Sequence, residues 1–267
     1  MLRDITLGQY YPGNSLIHRM DPRFKIVATL VYIVGLFLVK TYAGFVFPFV
    51  YLVLAVTISR VPLGFILRGM KPVIIILVCT FTINLFMIDG GKVLVDFGFT
   101  DITRGGLDAA VFLGTRLIML IIVSSLLTYT TKPVMLTDGL ESLMKPLKVV
   151  GMPAHELAMM MSIALRFIPT LLEETDKIMK AQMARGADFE SGKLLDRVRG
   201  LVPILIPLFI SSLRRAEELA MAMEARCYRG GENRTRLHTL KFSAPDWVGI
   251  AATIIMAGGI IASRIVL

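Results

Sequence analysis

Two arginines sit where a guanidinium could do recognition chemistry: Arg185 in Ala184-Arg185-Gly186 and Arg226 in Ala225-Arg226-Cys227. A guanidinium presents a planar fork of N–H donors that matches a carboxylate or a pair of carbonyls. Small residues on both sides let another surface approach the backbone closely. A helix end also welcomes a cation through its dipole, so either arginine alone reads equally well as a cap. Two in the same context, 41 residues apart, favour docking and suggest a weak internal repeat.

Other chemistry is missing. No GxxxxGK[ST] phosphate loop occurs, since Gly91-Lys92-Val93 and Gly192-Lys193-Leu194 lack the pattern. His18, His155 and His238 are far apart and show no HExxH-like spacing, so no metal site is expected. There is no Gly-x-Ser-x-Gly. Cys79 and Cys227 are too few for a disulfide framework. The expectation is a chain that is no enzyme and binds no cofactor itself.

The elements that carry the arginines lie in one polar block, residues 131–245. Pro153, preceded by Gly151, opens a helix. Apolar residues then recur at Leu157, Met160, Met161, Ala164, Leu165, Ile168, Leu171, Leu172, Ile178 and Met179, an amphipathic helical stripe. Pro169 should bend it, and Gly186 ends it. A second stretch, 201–213, is apolar with Pro203 and Pro207 and reads as a broken, membrane-embedded entry containing Leu205 and Phe209. From Phe209 a stripe runs through Leu213, Ala216, Leu219, Ala220 and Met223 to Cys227, with Gly230-Gly231 as the stop. Such helices can pack on each other, lie in a membrane interface, or enter a partner's groove.

The rest of the chain is oily. Of 267 residues, 55% are hydrophobic, and charge-free runs cover 26–39, 41–59, 73–88, 117–131 and 247–263. Five such runs argue for membrane spans, with tilt and snorkelling cations making up for their shortness. The first 25 residues are polar and lack a signal-peptide core. With the N-terminus in the cytoplasm, 24 of the 29 Lys and Arg fall on the inner side, leaving Lys40, Lys92, Arg104 and Arg264 outside. The positive-inside rule selects that orientation, with the C-terminus outside. This placement explains the net charge of +9 without nucleic acid. Arg116, within the fourth span and just before its charge-free run, is expected to snorkel or to pair with another span rather than to transport. The fold expected is an all-α polytopic membrane protein with about five transmembrane helices and a cytoplasm-facing coupling-helix module of long amphipathic helices. Residues 1–130 hold transmembrane helices 1–4, 131–243 the interfacial helices with both Ala-Arg motifs, and 244–267 the last span.

An ordered set of motifs runs from Tyr11-Pro12-Gly13-Asn14-Ser15-Leu16-Ile17-His18-Arg19-Met20-Asp21-Pro22-Arg23-Phe24-Lys25 through Leu165-Arg166-Phe167-Ile168-Pro169 and Ala181-Gln182-Met183-Ala184-Arg185-Gly186. It closes with Ala222-Met223-Glu224-Ala225-Arg226-Cys227-Tyr228. This set resembles the transmembrane T component of energy-coupling factor (ECF) transporters. The resemblance implies two cytoplasmic ABC ATPase subunits as partners, a non-identical pair that holds ATP and Mg. It also implies a membrane S component that binds a vitamin or other micronutrient. Ala184, Arg185 and Gly186 would dock on one ATPase and Ala225, Arg226 and Cys227 on the other. Leu157, Met160, Met161, Leu165, Ile168, Leu205 and Phe209 would face the S component. Cys227 departs from the family's glycine, which makes a left-handed backbone there less comfortable and leaves Gly230-Gly231 to take over the reversal. The rivals are a T component dedicated to one substrate such as cobalt or nickel, an ordinary ABC permease, and a membrane enzyme. A permease would show an EAA-type loop, and an enzyme would need paired acids or a metal cluster.

Overall fold

The computed structural model describes residues 10–88, 90, 93–96, 101–146, 151–187, 194–230 and 240–266. In chain order its helices are α1 (Leu16–Arg19), α2 (Pro22–Leu38), α3 (Val46–Ser59), α4 (Leu63–Met87), α5 (Arg104–Thr130), α6 (Pro133–Met144), α7 (Ala154–Ala184), α8 (Leu194–Ala225) and α9 (Ala244–Val266). A 3-10 turn, Tyr42–Phe45, precedes α3. Between α4 and α5 lies a small antiparallel hairpin, β1 (Val93–Asp96) on β2 (Asp101–Thr103), with Asp96 opposite Asp101. The all-α architecture read from the sequence stands, with this hairpin as a local ornament. Two compact units result: Gly8–Leu140 with Thr239–Leu267, and Glu141–His238.

Among the described residues, five helical segments have the length and apolarity to cross a bilayer: Tyr42–Ser59, Leu63–Met87, Arg104–Thr130, Ala154–Ala184 and Ala244–Ile265. The number agrees with the sequence, but the membership differs. α2 has 17 residues, which rise about 25 Å against a hydrocarbon core of about 30 Å. α7 enters the set because residues 157–172 carry Arg166 as their sole charge. The chain is a multi-pass membrane protein.

The first unit is a bundle whose core joins α2, α3, α5 and α9. Tyr32, Leu36, Leu52, Met119, Val123, Met256 and Ile260 are buried together there. α4 packs along α5 and turns Ile75, Ile76 and Met87 outward, each more than 60% exposed. In water that surface would be a liability; in a bilayer it is the lipid-facing side.

Polar contacts fix both ends of this bundle. At one end Lys25, the fourth residue of α2, is buried, and its ammonium donates to Thr130 O (3.0 Å), Thr131 Oγ1 (3.1 Å) and His18 O (3.4 Å). Asp246, in the first turn of α9 and fully buried, accepts from Asp21 N–H (2.8 Å) and from both the N–H and the hydroxyl of Ser243. Asp21 in turn caps α2 by accepting from Arg23 N–H, ahead of Pro22 at the first helical position. The start of α2, the end of α5 and the start of α9 are thereby tied together. At the opposite end Arg116 donates to Val39 O (2.8 Å) between the Phe37 and Phe112 rings, capping the α2 C-terminus. The expectation that Arg116 pairs with another span is met. Tyr42 donates to Asp108 O at this end.

The N-terminal signature reads as one cap network. Ser15 caps α1 by accepting from His18 N–H, and its hydroxyl lies 2.6 Å from His18 Nδ1. His18 Nε2 lies 3.0 Å from Tyr11 O, which can only accept, so Nε2 carries the proton and Nδ1 accepts from Ser15. Burial lowers the His18 pKa below its ordinary 6.5, against the Tyr11 bond and with the Lys25 charge. Tyr11 N–H donates to Tyr129 O, tying the segment to α5. Gly13 leaves room for the His18 ring, since a Cβ there would come within 2.9 Å of it and displace it from these bonds.

Candidate functional site

The second unit carries both arginine tips on α7 and α8. These helices are antiparallel neighbours, as three cross-links show. Glu174 on α7 accepts from Ser211 and from Arg215 Nη2 (2.6 Å) on α8. Nearer the α7 C-terminus, Gln182 Nε2 donates to Pro203 O (3.4 Å). At the other end His155, in the first turn of α7, reaches Tyr228, just past α8, through Nε2 (3.5 Å), and Glu141 on α6 through Nδ1 (3.2 Å). As residue numbers rise on α7 they fall on α8.

α8 is one unbroken 32-residue helix, which overturns the broken entry expected at Pro203 and Pro207. The reason lies in their spacing. Pro207 has no N–H to give to the carbonyl four residues back, which is that of Pro203. That orphaned carbonyl is the one Gln182 bonds, so a neighbouring helix supplies the missing donor. The two prolines at i and i+4 were the sequence signal for this role of Gln182. α7 likewise continues through Pro169.

Both helices end in the same hydrogen-bond pattern. After α7, Gly186 N–H donates to Met183 O and Ala187 N–H to Gln182 O, each at 3.0 Å. After α8, Cys227 N–H donates to Glu224 O (2.8 Å) and Tyr228 N–H to Met223 O (3.0 Å). These are two Schellman caps in which Arg185 and Arg226 hold the equivalent position. Such a cap needs a left-handed residue next, supplied by Gly186 at φ 88° and by Cys227 at φ 53°. Cys227 therefore makes the reversal itself, correcting the expectation that Gly230-Gly231 would take it over. Gly230 also has positive φ, at 84°, and Gly231 and His238 lie outside the described residues.

All six residues of the two triplets are exposed. Neither arginine side chain has a hydrogen-bond or ion-pair partner among the described residues, so both forks are free to donate outward. Antiparallel pairing puts the tips at opposite ends of the helix pair, roughly 40 Å apart along its axis by helical rise. Of the seven apolar residues singled out, Met160, Met161, Leu205 and Phe209 are exposed, Phe209 to 66%. Leu157, Leu165 and Ile168 are half-buried. On α8, Leu201, Ile206, Ile210 and Leu213 continue the exposed apolar surface.

Known proteins share this arrangement of sequence. Residues 13–237 match the model of the CbiQ family, described as cobalt transport protein. A protein of Thermosediminibacter oceani named energy-coupling factor transporter transmembrane protein EcfT is 57% identical over 265 residues, 99% of this chain and all of its own length. Proteins of the same name from Clostridium kluyveri and Bacillus subtilis are 53% and 46% identical, covering 99% and 96% of this chain and 98% and 97% of their own. With the motifs in order, the spans in place and relatives matched end to end, the chain belongs to the EcfT family, the transmembrane energy-coupling components of ECF transporters.

Proposed function

We propose that this chain couples two ABC ATPase subunits to a substrate-binding S component in the cell membrane. Arg185 docks on one ATPase and Arg226 on the other. Catalysis, ATP and Mg stay with those partners. The observation that carries this reading is the separation of two identical arginine-bearing caps to opposite ends of α7 and α8. A single pocket cannot take both tips, so each requires its own surface, and a pair of ATPase subunits offers two. When ATP draws that pair together, both docked ends move and the long helices act as levers. The exposed apolar residues, Met160, Met161, Leu205 and Phe209 among them, form the surface on which the S component rides and tips.

The orientation follows from charge. The bundle end tied together by Lys25 and Asp246 carries Arg19, Arg23, Arg60 and Lys132, whereas the other end has Lys40, Arg104 and Arg264. The first end faces the cytoplasm, placing the N-terminus inside and the C-terminus outside.

Truncating a buried charge-paired arginine costs about 2–5 kcal/mol of binding. Arg185→Ala and Arg226→Ala singly should each weaken ATPase assembly, and the double variant should abolish both complex and uptake. Co-purification and substrate uptake are the measurements. An intact, transporting complex in the double variant would refute the docking roles. The same purification addresses substrate range. A dedicated module brings down one S component, and a shared module brings down several.

A further inference from the structure

The bundle contains an apolar slot of about 280 Å³ at its Lys25 end, lined by α2, α3, α5 and α9. Its lining includes Phe24 and Ala28 of α2, Ala55 of α3 and Ala252 of α9. Tyr51, which lines it, shares a hydrogen bond with Thr253 (3.2 Å), joining α3 to α9. Leu54, Ile58 and Val248 at its lips are exposed, so the slot opens on the bundle's outer surface.

Water is a poor filling. The Lys25 ammonium already has three acceptors, Thr130 Oγ1 donates to Leu126 O, and Tyr51 and Thr253 engage each other. A buried water needs two to four polar partners, and the walls offer almost none. In a bilayer the available filling is hydrocarbon. A chain gains little by leaving lipid for protein, so selectivity must come from the headgroup. Arg19 beside slot residue Met20, Arg60 just past Ile58, and Lys132 just past Thr130 are exposed cations at this end. The carboxylates adjoining the slot, Asp21 and Asp246, are buried and bonded to backbone N–H groups.

We propose that this slot holds one acyl chain of an anionic phospholipid whose phosphate is met by the cationic rim carrying Arg19 and Arg60. Occupancy would wedge α3 and α9 at the end where the chain leaves α5 and re-enters at α9.

Native mass spectrometry of the purified full chain, titrated with phosphatidylglycerol or phosphatidylcholine, tests this. The expected result is one retained phosphatidylglycerol per chain, at least tenfold preferred over phosphatidylcholine. Ala252→Phe, and independently Ala55→Leu on α3, should lose that lipid at unchanged helical circular dichroism. Arg19→Gln with Arg60→Gln should erase the preference while leaving chain binding. Equal retention of both lipids by the wild type, or undiminished retention in whichever filling variant keeps its helices, overturns the proposal.

Discussion

Cys227 occupies a position where glycine costs nothing and any side chain is strained. An L-residue in the left-handed region loses roughly 1–2 kcal/mol, and here it buys the same cap that Gly186 makes freely. Cys227→Gly should therefore stabilise the chain by about 1 kcal/mol and leave Arg226 docking intact, whereas Cys227→Val should destabilise it. Denaturant unfolding in detergent reads the first effect and ATPase co-purification the second. A Cys227→Gly chain no more stable than the parent would show that the strain is relieved elsewhere. The two triplets were legible in sequence because Ala-Arg-small is a local pattern. The identity of their caps was not, since the departure from glycine suggested a different reversal. Lys25 and Asp246 lie 221 positions apart in the chain, and nothing local announced that Asp21, Lys25 and Asp246 would close one end of the bundle.

At the scale of elements, α7 and α8 hold each other in form. Gln182 supplies the donor that Pro207 lacks, so their contributions are coupled. Gln182→Ala should cost about 0.5–1 kcal/mol alone, the ordinary worth of a hydrogen bond. In a Pro207→Ala background the cost should fall to near zero, because the new N–H at 207 takes the Pro203 carbonyl. A double-mutant cycle by denaturant unfolding measures this; equal costs in both backgrounds would rule it out. The stripes of α7 and α8 were visible as periodicity, which reports one helix at a time. Proline reads as a break by the same local logic, and only the donor from the neighbouring helix lets α8 continue.

For the whole molecule, the positive-inside bias gives a prediction that the native cysteines can test. Cys227 is exposed beside Arg226, and Cys79 sits within α4. A membrane-impermeant maleimide should label Cys227 in inside-out vesicles and leave it unlabelled in intact cells, with Cys227→Ser as the control. Labelling from outside would invert the orientation and remove the arginines from any cytoplasmic ATPase. Overall span number was legible because hydropathy is additive along the chain. Membership needs the fold: α2, at 17 residues, falls just short by length yet runs the bundle from Lys25 at one end to Val39 at the other, whereas α7 qualifies by length and apolarity alone.

The sequence by itself determined the membrane character, the helical class, the charge asymmetry and the two arginine triplets, all of which depend on neighbours within a turn or a span. Tertiary structure decided how distant pieces meet. It joined Asp21, Lys25 and Asp246 at one end, ran α8 unbroken past two prolines, and sent the two arginine tips to opposite ends of an antiparallel pair. Each of these rests on a hydrogen bond or a packing contact between residues far apart in the chain, whose geometry no local pattern encodes.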